Sequence, residues 1–344
     1  MEVKHVVNSL RKLSAAKGGV SFSFIPITEM LGIESIDNTI RFKVTNTIVS
    51  ADDTFEQAGA PYDIAVNFDE FSALMRKLKE GSIELQLDNN QLVVKTNRSR
   101  YMLDIYYDTD GSVVTVQCDG RVKGSPLQIN KEDAKTIKTF LGVGGSEHFY
   151  QLNYANIVKG TLYVSDNHMV ASTKLNNDST FIFPKTLLKA LEEGSLVQSK
   201  QMTQFTATNG VVVVDKSRID DVFSSEQSNK LLDLEADAVW STGAEDFIVD
   251  LRTILFSPTE EVSMSAADGY VKLANKKSET KARLTSSETA TYKCKLQTSF
   301  IEKLLIILEE VVGKNPKSHI FFSSHGDLLI FRYERTKIGV KVEQ

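Results

Sequence analysis

His168 follows Asp166 by two residues, and a carboxylate beside an imidazole is the pairing that acid–base chemistry uses. Nothing else in the 344 residues completes such a site. The five histidines are scattered, Cys118 and Cys294 stand alone, and no Cys-x-x-Cys or other zinc spacing occurs. Gly-x-x-x-x-Gly-Lys-Ser/Thr, Gly-x-Ser-x-Gly and His-Glu-x-x-His are all missing. A surface-turn histidine is the commoner setting, so the Asp166–His168 pair reads as turn chemistry. Arg98 and Arg100 alternate along a strand-like run, which leaves them solvated or in ion pairs. The chain is expected to be no enzyme and to use neither cofactor nor metal.

The remaining chemistry is that of cations on helical faces. Six stretches read as helices: 4–17, 69–80, 131–138, 185–193, 249–256 and 301–314. They hold 15 Lys and Arg against 11 Asp and Glu, a balance of +4, and leave 25 against 34, or −9, on the remainder. Most of the excess comes from Lys4, Arg11, Lys12 and Lys17, with Lys131, Lys135 and Lys138 next; Arg76 and Lys77 sit on the second stretch. A net charge of −5 is wrong for a protein that simply coats nucleic acid. A basic stripe on an acidic body suits contact with phosphates, which carry no sequence information. For each residue alone, a solvated helix face remains the alternative.

The elements that position these groups repeat. Tyr62, Ile64, Val66 and Phe68 alternate as a half-buried strand does, and Phe71, Leu74, Met75 and Leu78 then form one helical face. Two strand-like runs follow, Glu84 to Leu87 and Gln91 to Lys95, hinged on Asn89-Asn90. A second copy runs from Phe181 to Phe183, takes Pro184 into a first helical turn, continues through Leu187, Leu188 and Leu191, and turns at Asn209-Gly210. The third begins at Thr291, caps a helix with Thr298 or Ser299, carries Ile301, Leu304, Leu308 and Val312, and turns at His325-Gly326. The helix centres Leu74, Leu188 and Leu304 lie 114 and 116 residues apart. Each copy also has an earlier helix, striped by Val3, Val6, Val7, Leu10 and Leu13, by Ala134, Ile137 and Leu141, or by Leu251, Ile254 and Leu255. Strand pairs follow each, with Asp37-Asn38 and Asp268-Gly269 as hinges.

A period near one third of the chain predicts three equivalent α+β domains, 1–122, 123–243 and 244–344. The polar stretch from Ser224 to Asp246 reads as a long linker. No run of 18 apolar residues is present and no apolar signal core follows the first basic residues, so a reducing, cytoplasmic setting is expected.

Two motifs carry a resemblance. Glu80 to Glu84, Asn89 to Val94, and then Asn97-Arg98-Ser99-Arg100-Tyr101 resemble the first-domain hairpin and Gly-Arg-Ser-Arg-Phe signature of the bacterial-type DNA polymerase sliding clamp, the polymerase III beta subunit. Asn97 stands in the glycine's place. The run from Gly160 to Ala171 is similar to that family's Leu-x-x-Val-Ala-Thr-Asp-Gly-His-Arg-Leu-Ala, with Asn167, Met169 and Val170 as departures. The divergence is that of a distant member, phage or plasmid genomes being one possible source.

The resemblance implies three clamp domains per chain, helices lining a hole and antiparallel sheets outside, closed into a ring by two chains head to tail. It implies that the ring encircles duplex DNA and tethers polymerase and clamp loader, whose short apolar motifs dock between the second and third domains. Ser165, Asn167, His168, Met169 and Val170 match one groove wall, and Val340 and Val342 the other. Tyr150, after the loop Gly142 to His148, matches a DNA-touching position, whereas Glu147 would repel phosphate. The rival reading is a clamp-fold scaffold that binds partner peptides without encircling DNA.

Overall fold

The computed structural model describes residues 2–14, 30–36, 39–44, 48–56, 62–78, 81–116, 122–146, 148–188, 190–200, 202–208, 211–215, 223–285, 290–313 and 318–343. Among these, six α-helices and 23 strands follow an order that recurs. The first pass is α1 (Val3–Ser14), β1 (Met30–Ile36), β2 (Thr39–Val44), β3 (Ile48–Glu56), β4 (Tyr62–Asn67), α2 (Phe68–Leu78), β5 (Glu84–Asp88), β6 (Gln91–Lys95) and β7 (Arg100–Asp104). The second is β8 (Leu127–Ile129), α3 (Lys131–Val143), β9 (Tyr154–Val158), β10 (Thr161–Ser165), β11 (Met169–Lys174), β12 (Phe181–Pro184), a 3-10 turn (Lys185–Leu187), β13 (Gly194–Gln198), β14 (Thr203–Ala207) and β15 (Val211–Asp215). The third is α4 (Ser225–Leu232), β16 (Ala238–Gly243), α5 (Ala244–Phe256), β17 (Glu261–Ala267), β18 (Tyr270–Ala274), β19 (Glu279–Arg283), β20 (Tyr292–Gln297), α6 (Thr298–Val312), β21 (His319–His325), β22 (Leu328–Tyr333) and β23 (Thr336–Lys341).

The chain packs as two compact units, one of Met1–Lys131 with Thr186–Ile219, the other of Glu132–Lys185 with Asp220–Gln344. In the first, an antiparallel sheet runs β4-β1-β2-β3-β15-β14-β13-β8, and β5-β6-β7 form a three-stranded sheet. Its core takes the residues the periodicities select: Val3, Val6 and Leu10 from α1, Phe71 and Met75 from α2, Ile64 and Val66 from β4. Phe42 meets Phe71 with ring centroids 5.9 Å apart. Asn67 caps α2, its Oδ1 accepting the Glu70 N–H at 2.9 Å. Asp69 and Glu70 in the first turn, with Arg76 and Lys77 in the last, complement the helix dipole. The β5–β6 hairpin turns on Asn89 (φ 46°) and Asn90 (φ 67°), the left-handed pair that a two-residue loop demands.

The second unit holds the sheet β12-β9-β10-β11-β23-β22-β21-β16 and a four-stranded sheet β19-β18-β17-β20. Helices α5 and α6 pack together, burying Phe247, Leu251 and Ile254 from one and Ile301, Leu304 and Leu308 from the other. Trp240 stacks on Phe322 at 5.6 Å and touches Tyr292 at 5.4 Å.

Four local expectations are corrected. The helix over 185–193 is a single 3-10 turn, with Pro184 closing β12 rather than opening a helix. The Ala190 and Leu191 N–H groups bond three residues back, at 3.1 and 3.2 Å. Glu192-Glu193 at the end of this stretch would oppose the dipole of a helix there. The stretch from Ser224 to Asp246 is no linker, since it forms α4 and β16, and β16 pairs with β21 over six residues. Thr298 is the first residue of α6, not its cap; its hydroxyl donates to the Thr259 carbonyl. The last hairpin turns one residue later than expected, at Gly326-Asp327, because His325 still pairs with Leu328. Hinges at Asp37-Asn38 and Asn209-Gly210 lie outside the described residues, whereas Asp268 and Gly269 (φ 53° and 79°) turn as expected.

Candidate peptide groove and nucleic-acid face

The β10–β11 turn is built on Asp166. Its buried Oδ1 accepts the His168 N–H at 3.0 Å and the Met169 N–H at 2.7 Å, while Asn167 takes φ 82° at the tip. Ser165 Oγ donates to the Met169 carbonyl at 2.9 Å. The other Asp166 oxygen receives the Lys303 ammonium from α6. Both oxygens are therefore engaged in holding the turn, which argues against an acid–base role for the pair with His168.

The chain's last strand lies beside this turn. Met169 pairs with Val340 in the β11–β23 ladder, and the Lys341 N–H donates to the His168 carbonyl at 3.2 Å. Beyond β23, the Val342 N–H bonds the Asp327 carbonyl and the Lys295 N–H bonds the Glu343 carbonyl, both at 2.8 Å. These contacts enclose a cavity of about 400 Å³, walled by His168, Met169, Leu296, Phe300, Val340 and Val342. The Lys303–Asp166 and Lys295–Glu261 pairs border it, so its charges are matched and its anchors apolar. A concave apolar site with a few placed polar groups suits a short apolar peptide.

Of the expected groove residues, His168, Met169, Val340 and Val342 meet here. Ser165 is buried in the turn, Asn167 is exposed at its tip and half-buried Val170 sits on β11; none of the three lines the cavity. Leu296, Phe300 and Lys303 escaped the sequence reading. Their only local signal was the alternation of β20 and the stripe of α6.

Nearby, Lys185 Nζ donates to the Gly144 carbonyl at 2.6 Å. Burial pushes its pKa down, the Lys303 charge adds to that, and Asp166 opposes it. Burial also drives the Cys294 thiol up to about 11, with the neighbouring Tyr292 hydroxyl opposing that rise.

The expected phosphate contacts fall on helices of both units. Lys4 and Arg11 on α1 and Arg76 and Lys77 on α2 are exposed; Arg76 Nε also donates to the Ser72 carbonyl at 3.3 Å. Lys131, Lys135 and Lys138 are exposed along α3, and Tyr150 is exposed just beyond it. The Lys12 side chain, and Lys17 and Glu147 entirely, lie outside the described residues. Of the expected contacts, Lys135 is paired with Glu310; Arg252 on α5, outside the expected set, is likewise paired with Glu309. Among the described residues, no three His, Cys, Asp or Glu gather as a metal site, and no helix is long and apolar enough to cross a membrane.

No family model and no curated protein matches the sequence. Solved structures do. The chain is similar to a DNA polymerase sliding clamp from Pseudomonas aeruginosa crystallised with ligand, at 14% identity and a TM-score of 0.79, covering 100% of this chain and 98% of that one. It is similar to Caulobacter crescentus pol III beta at 16% identity and 0.79, covering 100% and 99%. It is also similar to the Helicobacter pylori beta clamp bound to a DNA ligase peptide, at 15% identity and 0.76, covering the whole of both chains. The fold is thus α+β with antiparallel sheets, and it is the sliding-clamp fold.

Proposed function

We propose that this chain is a DNA sliding clamp, a polymerase processivity factor without catalysis of its own, acting in the cytoplasm. Two copies close head to tail into a ring around duplex DNA, each supplying domains 1–122, 123–243 and 244–344. The observation that carries this reading is the end-to-end likeness to clamps over 98% or more of their length. Sheet edges support the junction: among the described residues β7, with exposed Tyr101 and Met102, ends one sheet, and β19 ends another. Pairing β7 of one copy with β19 of the next would cover edges that otherwise invite aggregation.

DNA would meet Lys4, Arg11, Lys12, Lys17, Arg76, Lys77, Lys131, Lys135, Lys138 and Tyr150, through phosphates and without sequence preference. Polymerase and clamp loader would dock apolar motifs in the cavity beside Met169 and Val342, as the Helicobacter pylori clamp binds a ligase peptide. Enclosure, not affinity, would keep the ring on DNA, so weak contacts suffice. The second reading, a peptide-binding scaffold that does not encircle DNA, gains from Lys135 being already held by a carboxylate.

The native mass and one DNA assay separate them. A clamp has about twice the 38.3 kDa chain mass, stays on nicked circular duplex through gel filtration, and is lost when the circle is cut. A monomer that passes through unretained would leave only the scaffold.

A further inference from the structure

Lys135 and Glu310 form an uneven pair. Lys135 Nζ on α3 reaches Glu310 Oε2 on α6 at 2.8 Å, yet the lysine side chain is 69% exposed and the glutamate 7%. The other carboxylate oxygen, Glu310 Oε1, is buried with no hydrogen-bond partner among the described residues. One residue earlier, Glu309 Oε1 receives both Nε and Nη2 of Arg252 from α5, at 2.9 and 2.8 Å, with both side chains well exposed. The last turn of α6 therefore presents consecutive carboxylates to cations on two other helices. Lys131 and Lys138, on the same helix as Lys135, have no ion-pair partner among the described residues.

We propose that Glu310, and more weakly Glu309, are built-in counter-ions that withhold Lys135 and Arg252 from DNA phosphate and so loosen the clamp's grip. This deepens the sliding-clamp reading and rests on it. A phosphate that captures Lys135 must strip it from a nearly buried carboxylate that already has one unsatisfied oxygen. Leaving that carboxylate uncompensated is costly, so the exchange gains far less than capture of a free lysine. Arg252 and Glu309 exchange in water, where pairs are weak and screened, so their masking is slight. Exposure alone thus overstates what Lys135 offers a phosphate. Lys138 and Lys131 are the α3 cations ready for it.

The test uses the full-length protein and measures its equilibrium affinity for linear duplex against salt, where contacts and not enclosure set binding, with retention on nicked circular duplex as the separate check that the ring forms. A cation that neutralises a phosphate adds about 0.9 to the slope of log affinity against log salt. Glu310→Gln should steepen the slope by about that much and strengthen linear-duplex affinity several-fold, and adding Lys135→Ala should abolish the gain. Glu309→Gln should change it less. Lys135→Ala alone should flatten the slope far less than Lys138→Ala, with a thermal melt to register what loss of Glu310's partner costs the fold. Lys138→Ala should flatten it by about 0.9. If wild type is retained but Lys135→Ala flattens its slope as Lys138→Ala does, or Glu310→Gln folds and changes nothing, the counter-ion role is wrong. If wild type is not retained at all, the clamp reading fails and takes this inference with it.

Discussion

The Lys303 ammonium on α6 donates to the Asp166 carboxylate in the β10–β11 turn, joining residues 137 positions apart. Asp166 is 4% exposed at its side chain and Lys303 32%, so the pair is partly shielded from water. Asp166→Ala removes this partner and the acceptor of the His168 and Met169 N–H groups together. It should cost about 2–4 kcal/mol in urea unfolding, while Asp166→Asn, which keeps an acceptor, should cost about half that. A loss below about 0.5 kcal/mol for the alanine variant would mean that the turn holds without it.

Cys294 should resist alkylation at pH 8 while folded and react once unfolded, read by mass spectrometry in a Cys118→Ser background. Its folded pKa of about 11 exceeds the ordinary value of 9.0. The native state therefore favours the thiol, and that contribution is complete below about pH 9. It is lost as pH rises from about 9 to about 11, on the order of 2 kcal/mol. The difference in stability between this protein and its Cys294→Ala variant should narrow across that window; a constant difference would contradict it.

The Asn89-Asn90 turn predicts opposite effects for two kinds of change. Asn90→Gly relieves a left-handed residue and should be neutral or slightly stabilising. Asn89→Val with Asn90→Val places β-branched side chains at positive φ and should cost about 2–4 kcal/mol by thermal melting. Equal melting of both variants would show that the hairpin is not held in this form.

Val342→Asp should weaken binding of a synthetic peptide bearing leucine and phenylalanine anchors at least about tenfold by fluorescence anisotropy, or about 1.4 kcal/mol. Retention on circular DNA should stay the same. Unchanged peptide affinity would place the docking surface elsewhere.

How legible these features are depends on whether their cause is local. The stripe of Phe71 and Met75 and the alternation of Ile64 and Val66 are set by a single element meeting a core, so their period reads directly from the chain. Asn89-Asn90 is equally local. The three leucines after Pro184 mislead because nine residues cannot distinguish a helical stripe from a turn that buries Leu187 and Leu191. Helix α4 and strand β16 hide in a polar stretch because few of their residues face the core, chiefly Leu232 and Trp240. The groove is half legible: its turn carries a motif, but Leu296, Phe300 and Lys303 join it only through tertiary packing. Glu309 and Glu310 look like ordinary surface charge until α3 and α5 are placed beside them.

Strand β11 finds its neighbour β23 only across a long gap, with Met169 opposite Val340, and β3 likewise waits for β15, with Ala51 opposite Val211. During synthesis each early half-sheet must stand with a naked rim for well over a hundred residues of translation. Such long-range closure is slow, and the waiting rim can capture the wrong strand. Productive folding of the nascent chain should therefore depend on chaperones that shield that rim, and slowing release from the ribosome should lower yield more than it does for proteins whose sheets close locally.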